Sequence, residues 1–284
     1  MFAATIGFFD GVHRGHRCLI EQLKALAKER HKDTLIVTMK QHPRAVIQSE
    51  YVPHLLTTPE EKVRLLEETG VTRIDIIPFD KETASLTALE FMEKVLKPKG
   101  VSILLMGYDH RFGHGEAAFE DYVRWGQQCG IEVVRAHELE GQHVSSTAIR
   151  TLLSQGRVEE AAALLGHAYL LSGKVVEGYH VGHQLGFPTA NIFITPEKVM
   201  PRRGVYAVRT NHGPGMLNIG TRPTAANGDD VSVEVHLIDF SGNLYGQQLS
   251  LELLTFIREE RAFDSLEQLR EQLQRDREFV LNLK

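Results

Sequence analysis

The stretch Gly7-Phe8-Phe9-Asp10-Gly11-Val12-His13-Arg14-Gly15-His16 decides how this chain is read, because it closes a short apolar run, Ala3–Phe8, and opens a helix-period segment. A strand that hands over to a helix through a glycine-bearing turn is the ligand end of an open α/β sheet. Glycines 11 and 15 let a phosphate approach the backbone, and the helix amino terminus favours anionic charge. His13 and His16, three residues apart, can point at one phosphate. Taken alone, H-x-G-H reads equally as a capped turn with surface histidines or as a pair of metal ligands.

Working outward, the runs Thr34–Met39, Ile74–Phe79, Val101–Met106 and Ile131–Arg135 are bounded by turn residues and predict buried parallel strands. Helices start between them. Thr58-Pro59-Glu60-Glu61 places a hydroxyl at a cap, proline at the first helical position and glutamate where a capping box needs it, with Gly70 set to end that helix. Thr87 with Glu90 repeats the device. The fold class expected for residues 1–166 is therefore an α/β, Rossmann-like sheet. From about Tyr169 the helical period gives way to β-rich runs, Val205–Arg209, Ser232–Ile238 and Leu249–Leu254, separated by Gly-, Asn- and Asp-rich turns. That pattern predicts an antiparallel barrel or sandwich over 167–284. One helix closes it, with Asp264 as cap, Glu267 three residues on, and Leu266, Leu269 and Leu273 on its packed face. The hinge is expected just after a short helix Arg157–Leu165.

Composition sets the outer bounds. With 284 residues, 42% apolar and 24% charged, the chain is an ordinary folded protein of about two domains. Net charge is −5, and neither half carries the basic surplus of a nucleic-acid binder. Two cysteines, Cys18 and Cys129, exclude a disulfide framework and are expected as small buried thiols; the cytoplasm is the expected compartment. The amino-terminal apolar run breaks at Asp10, and no stretch is long enough to span a membrane. Neither G-x-x-x-x-G-K-[ST] nor G-x-G-x-x-G occurs, so this is not a P-loop or dinucleotide enzyme by those fingerprints.

Three further segments carry candidate chemistry. Ser145-Ser146-Thr147-Ala148-Ile149-Arg150 puts hydroxyls and a guanidinium at a predicted helix start, a second anion site. With the histidines it implies a nucleoside triphosphate held at both ends. The segment 178–191 spaces Gly178, Gly182 and Gly186 four apart, so that a loop can fold over phosphates, while Thr189 and Asn191 supply neutral oxygens of the kind a phosphate-bound magnesium accepts. Glu234, in Val233-Glu234-Val235-His236, is a candidate base, though a lone strand carboxylate is usually solvated.

The motifs GFFDGVHRGH, His42-Pro43, GYDHRFG, SSTAIR, LGFPTAN, NIGTRPT (Asn218–Thr224), VEVHLIDF and LYG (Leu244–Gly246) occur in one order across nearly the whole chain. In that combination the sequence resembles the bacterial bifunctional riboflavin kinase/FAD synthetase family. The resemblance implies an amino-terminal nucleotidyltransferase that adenylylates FMN and a carboxy-terminal flavokinase barrel that phosphorylates riboflavin, with ATP as co-substrate and Mg2+ as cofactor. It implies that His13 and His16 bind the ATP phosphates and stabilise the transition state, and that Ser146, Thr147 and Arg150 hold pyrophosphate. By the same resemblance His42, Asp109, Arg111 and Asn218 line the nucleotide and flavin pocket, Thr189 and Asn191 hold Mg-ATP, and Glu234 is the general base. His110 stands where the family has Phe, and His167 and His183 where it has Arg; an imidazole is mostly neutral at pH 7 where a guanidinium is charged. Two other readings stay open: an adenylyltransferase whose barrel merely binds flavin, and a flavin-sensing module without chemistry. Thr189, Asn191 and Glu234 argue against both.

Overall fold

The structure is a computed structural model, and it describes residues 1–48, 50, 52–108, 110–138, 144–177, 185–221 and 231–283. By packing, the chain divides into two compact units, Met1–Ser145 and Ser146–Lys284.

The first unit is built on a parallel sheet of β1 (Phe2–Gly7), β2 (Asp33–Met39), β3 (Arg73–Ile77), β4 (Val101–Met106) and β5 (Glu132–Arg135), in the order β3-β2-β1-β4-β5. All four strand pairings are parallel. Its central strands are covered on both faces, which is why they read as unbroken apolar runs: Ala4, Ile6, Leu35, Val37 and Leu104 are buried. Helix α1 (Arg14–Glu29) follows β1 and buries Ile20, Leu23 and Ala27. After α2 (Pro43–Ile47), α3 (Pro59–Glu67) starts on a complete capping box. Glu61 N–H donates to Thr58 Oγ1 at 3.2 Å, and Thr58 N–H to Glu61 Oε2 at 2.9 Å. The expected Thr87–Glu90 box is also formed, on α5 (Ala88–Phe91), which follows α4 (Lys81–Ser85); α6 (Phe119–Cys129) leads into β5. With β1 central and its neighbours leaving in opposite directions, the crevice beyond the carboxyl ends of β1 and β4 is the switch point of the sheet.

The second unit opens with α7 (Ser146–Ser154) and α8 (Val158–Leu165), whose Ile149, Leu153, Val158, Ala161 and Leu165 are fully buried. The Arg202 N–H donates to Leu153 O at 2.9 Å, tying α7 to the barrel segment before β8. The barrel is closed and antiparallel, from β6 (Tyr169–Val176), β7 (Ala190–Phe193), β8 (Gly204–Thr210), β9 (Gly213–Thr221), β10 (Val231–Leu237) and β11 (Gln248–Arg258), in the order β10-β7-β6-β11-β8-β9. Of the barrel and the sandwich that the sequence allowed, the barrel forms. At Gly173 a Cβ would lie 2.1 Å from the Phe193 carbonyl, so only glycine lets β6 and β7 close.

The terminal helix α9 (Leu266–Asn282) corrects the expected cap: Ser265, not Asp264, accepts the Gln268 N–H at 3.2 Å. Leu266 is also off the packed face, at 61% exposure, because it lies in the first turn, ahead of the stripe on which Leu273 and Val280 meet Met216 and Ile238. The buried Asp276 anchors α9 by receiving Arg258 Nη2 at 2.8 Å and Gln272 Nε2 at 2.7 Å. Cys129 is buried as expected, whereas Cys18 is half-buried. Among the described residues no helix is long and apolar enough to cross a membrane.

Candidate active sites

In the first unit, the turn after β1 is held in an unusual backbone. Phe9, Gly11 and Val12 all have positive φ, 55°, 80° and 40°, a conformation that is costly for a β-branched residue. Asp10 supplies the compensation. Its buried carboxylate accepts the N–H groups of Leu56 at 2.9 Å and Thr57 at 3.2 Å, while Gly11 N–H donates to Thr57 Oγ1 at 3.1 Å. The turn is thus strapped to the segment before α3.

His13 caps α1, its Nδ1 accepting the His16 N–H at 3.3 Å. Gly15 leaves room for that ring, since a Cβ there would stand 3.2 Å from it. The two imidazoles stack with centroids 3.6 Å apart and planes 13° from parallel. The sequence therefore brings Gly11, His13, Gly15 and His16 together as expected. Burial, then the neighbouring His13, His110 and Lys62, hold His16 well below the usual imidazole range. Its Nδ1 has no hydrogen-bond partner among the described residues, nor does His110 Nδ1. Buried polar atoms that the fold leaves unmatched point to a ligand.

A cavity of about 340 Å³ opens at the ends of β4 and β5, lined by Gly107, Tyr108, His110, Arg111, Phe119 and Arg135 among others. The Tyr122 hydroxyl holds its wall by donating to Phe112 O at 2.9 Å. Arg111 thus lies at this cavity, and Asp109 lies outside the described residues. His42 stands elsewhere, capping α2 and meeting Phe8 edge-on with centroids at 4.8 Å. Burial lowers His110 to about 4. The unfolded chain therefore binds a proton that the folded chain refuses. This contribution to stability is complete above pH 6.5 and is lost as pH falls from 6.5 towards 4. We expect His110→Phe to flatten that acid limb, a difference of roughly 2–3 kcal/mol near pH 4 by denaturant unfolding at a series of pH values.

Ser146, Thr147 and Arg150 occupy the start of α7, in the second unit. In the barrel, Glu234 on β10 is paired across the ladder with Asn191 on β7 and with Asn218 on β9. Thr189 Oγ1 donates to Glu234 Oε2 at 3.4 Å, and Asn191 is buried. Asn218 Nδ2 reaches Glu260 Oε1 at 3.4 Å. Thr189, Asn191, Glu234 and Asn218 thus form one polar row. Beside it runs a groove of about 550 Å³, lined by Pro188, Thr189, Ala190, Phe240, Leu244 and Tyr245 among others. The His236 ring fixes its lip, Nδ1 donating to Pro188 O at 2.8 Å. Gly186 is in the described part of the glycine loop, at φ 80° and exposed; Gly178, Gly182 and His183 lie outside the described residues.

Comparison with known proteins matches two family models to successive parts of the chain. The FAD synthetase family model matches residues 1–148, and the riboflavin kinase model matches residues 165–283. A bifunctional riboflavin kinase/FMN adenylyltransferase of Escherichia coli K12 is 38% identical over 281 residues, covering 96% of this chain and 89% of the relative. The chain belongs to the bifunctional riboflavin kinase/FMN adenylyltransferase family. Family members from Pseudomonas fluorescens and Bacillus subtilis are 36% and 32% identical, each alignment covering 96% of this chain. A crystal structure described as a macrolide-efflux protein from Streptococcus pneumoniae superposes with a TM-score of 0.87 at 31% identity, covering 99% of this chain and 94% of that one.

Two residues at the first site carry no expectation from sequence, Asp10 as a strap and the buried Lys62. The signal for Lys62 was its place on the apolar stripe of α3, one turn before Leu65 and Leu66.

Proposed function

We propose that the two activities of this family map onto the two built sites, adenylylation of FMN to residues 1–166 and phosphorylation of riboflavin to residues 167–284. The observation that carries the two-activity reading is the polar row Thr189–Asn191–Glu234, which a barrel that only bound flavin does not need. In the kinase step, riboflavin's terminal ribityl hydroxyl loses its proton to Glu234 as its oxygen bonds the γ-phosphorus of ATP, and ADP departs. Thr189, bonded to that carboxylate, fixes its rotamer. Magnesium is implied, and the donor set fits it: the neutral oxygens of Thr189 and Asn191 beside one carboxylate are hard ligands. When bound, the ion neutralises phosphate charge.

In the adenylylation step, a phosphate oxygen of FMN bonds the α-phosphorus of a second ATP and pyrophosphate leaves. His13 and His16, on the α1 terminus, donate to the α-phosphate as its charge spreads, and Gly11 and Gly15 allow close approach. Ser146, Thr147 and Arg150 hold the departing pyrophosphate; Asp109 and Arg111 contact the nucleotide or flavin. Positioning and charge neutralisation supply most of such catalysis, so neither step needs a covalent enzyme intermediate. Product analysis tests this reading. Riboflavin with ATP should yield FMN and then FAD, and FMN with ATP should yield FAD and pyrophosphate. FAD from FMN alone would leave only the adenylyltransferase, and no product in either assay would leave the binding module.

A further inference from the structure

Lys62, on α3, carries a buried ammonium in the first unit. Its side chain is 3% exposed. Nζ donates to the carbonyl of Met39, the last residue of β2, at 2.8 Å, and lies 4.1 Å from the centroid of Phe8, just after β1. Lys62 therefore stands over the carboxyl ends of β1 and β2, where Phe8 also receives His42. An ammonium has three donors. One is met by Met39, and among the described residues no carboxylate lies in ion-pair contact with it. Asp10 acts on it only from a distance, its carboxylate being bonded to Leu56 and Thr57. A cation buried with donors to spare is costly unless an anion joins it. Burial draws its pKa down to about 8, so at pH 7 it remains mostly charged.

The placement tells which anion. The stacked histidines stand at the end of β1, between the cavity on the β4–β5 side and Lys62 on the β2 side. Phosphoryl-type displacement puts the attacking and leaving oxygens on opposite sides of the phosphorus. One side of the histidine pair must therefore accept a second anion, the nucleophile.

We propose that Lys62 is the binding residue for the phosphomonoester of FMN, holding the attacking oxygen against the α-phosphorus of ATP. One phosphate oxygen forms the new P–O bond, the bond from the α-phosphorus to the β-phosphate oxygen breaks, and pyrophosphate carries away the electron pair. Lys62 gives no proton. It offsets the repulsion between two anions, and it separates FMN from riboflavin, which has no phosphate. The proposal rests on the assignment of adenylylation to His13 and His16.

The test is steady-state pyrophosphate release by the full chain, with FMN and ATP varied separately, in Lys62→Met, Lys62→Gln and Lys62→Arg proteins. Circular dichroism and thermal unfolding of each protein report folding of the first unit, because riboflavin kinase turnover reads only the barrel of the other unit. Removing the charge should raise KM for FMN on the order of ten- to a hundredfold and leave KM for ATP nearly unchanged. Lys62→Arg, which keeps the charge, should stay within about threefold of wild type for FMN. Should the Met protein fail to fold, the Gln and Arg pair decides. An unchanged KM for FMN, or a rise in KM for ATP instead, overturns the proposal. His16→Ala is run beside them: if adenylylation survives it, the site assignment itself is wrong; if adenylylation is lost while the Lys62 proteins bind FMN normally, only the role of Lys62 falls.

Discussion

The His13→Ala/His16→Ala protein should make no measurable FAD from FMN and ATP while it goes on phosphorylating riboflavin. The two rings are stacked at 3.6 Å on the amino terminus of α1, and His13 Nδ1 is already committed to the His16 backbone N–H. The buried His16 Nδ1 has no hydrogen-bond partner among the described residues, and the pair is held partly dehydrated at the helix terminus. Donors held in place where charge develops are typically worth about 10²–10³ each. Paired donors act as a unit, so the double replacement should cost at least about a thousandfold without simple multiplication. Gly11 and Gly15 keep the backbone route to the phosphates open in this protein, so ATP should still bind. The kinase activity is the internal control, because the barrel belongs to the other compact unit. Steady FAD synthesis by a folded double variant would remove the histidines from the chemistry.

Glu234→Gln should do the converse. A ribityl hydroxyl is a poor nucleophile at neutral pH, and a carboxylate in reach takes its proton as the phosphorus–oxygen bond forms, a contribution on the order of 10²–10⁴-fold. Glutamine preserves the acceptor for Thr189 Oγ1 and the strand pairing with Asn191 and Asn218, but it cannot take the proton. Riboflavin kinase kcat should fall by about that factor, with KM for ATP and the adenylylation of FMN near wild type. A solvated strand carboxylate, by contrast, predicts almost no change. Turnover within a few-fold of wild type would transfer the kinase chemistry to positioning by Thr189 and Asn191.

The sheet of the first unit was legible because parallel strands buried on both faces are written as continuous apolar runs; β4 appears over Val101–Met106, residue for residue. The barrel was less so. β9 begins Gly-Pro-Gly and β7 has four residues, so both read as turns, and their strand character comes from ladder partners rather than local propensity. The displaced cap of α9 has a similar origin. Asp264 and Ser265 are both good caps by residue type, so local sequence does not choose between them, and Ser265 is the one that accepts the Gln268 N–H. At the first site, His13 and His16 announced themselves by spacing. Asp10 and Lys62 did not, because charged residues are counted as surface unless a tertiary partner is known. The strap from Asp10 to Leu56 and Thr57 joins segments 46 and 47 residues apart, and no local pattern carries such a link.

If one chain carries two chemically independent sites, two variants that each lack one of them restore the full reaction to each other. Riboflavin and ATP are supplied to the His13→Ala/His16→Ala protein, to the Glu234→Gln protein and to an equimolar mixture, and riboflavin, FMN and FAD are separated over time. The histidine variant should stop at FMN, the Glu234 variant should leave riboflavin almost untouched, and the mixture should accumulate FAD. FAD from the histidine variant alone, rapid consumption of riboflavin by the Glu234 variant alone, or a mixture that makes no FAD would contradict the account.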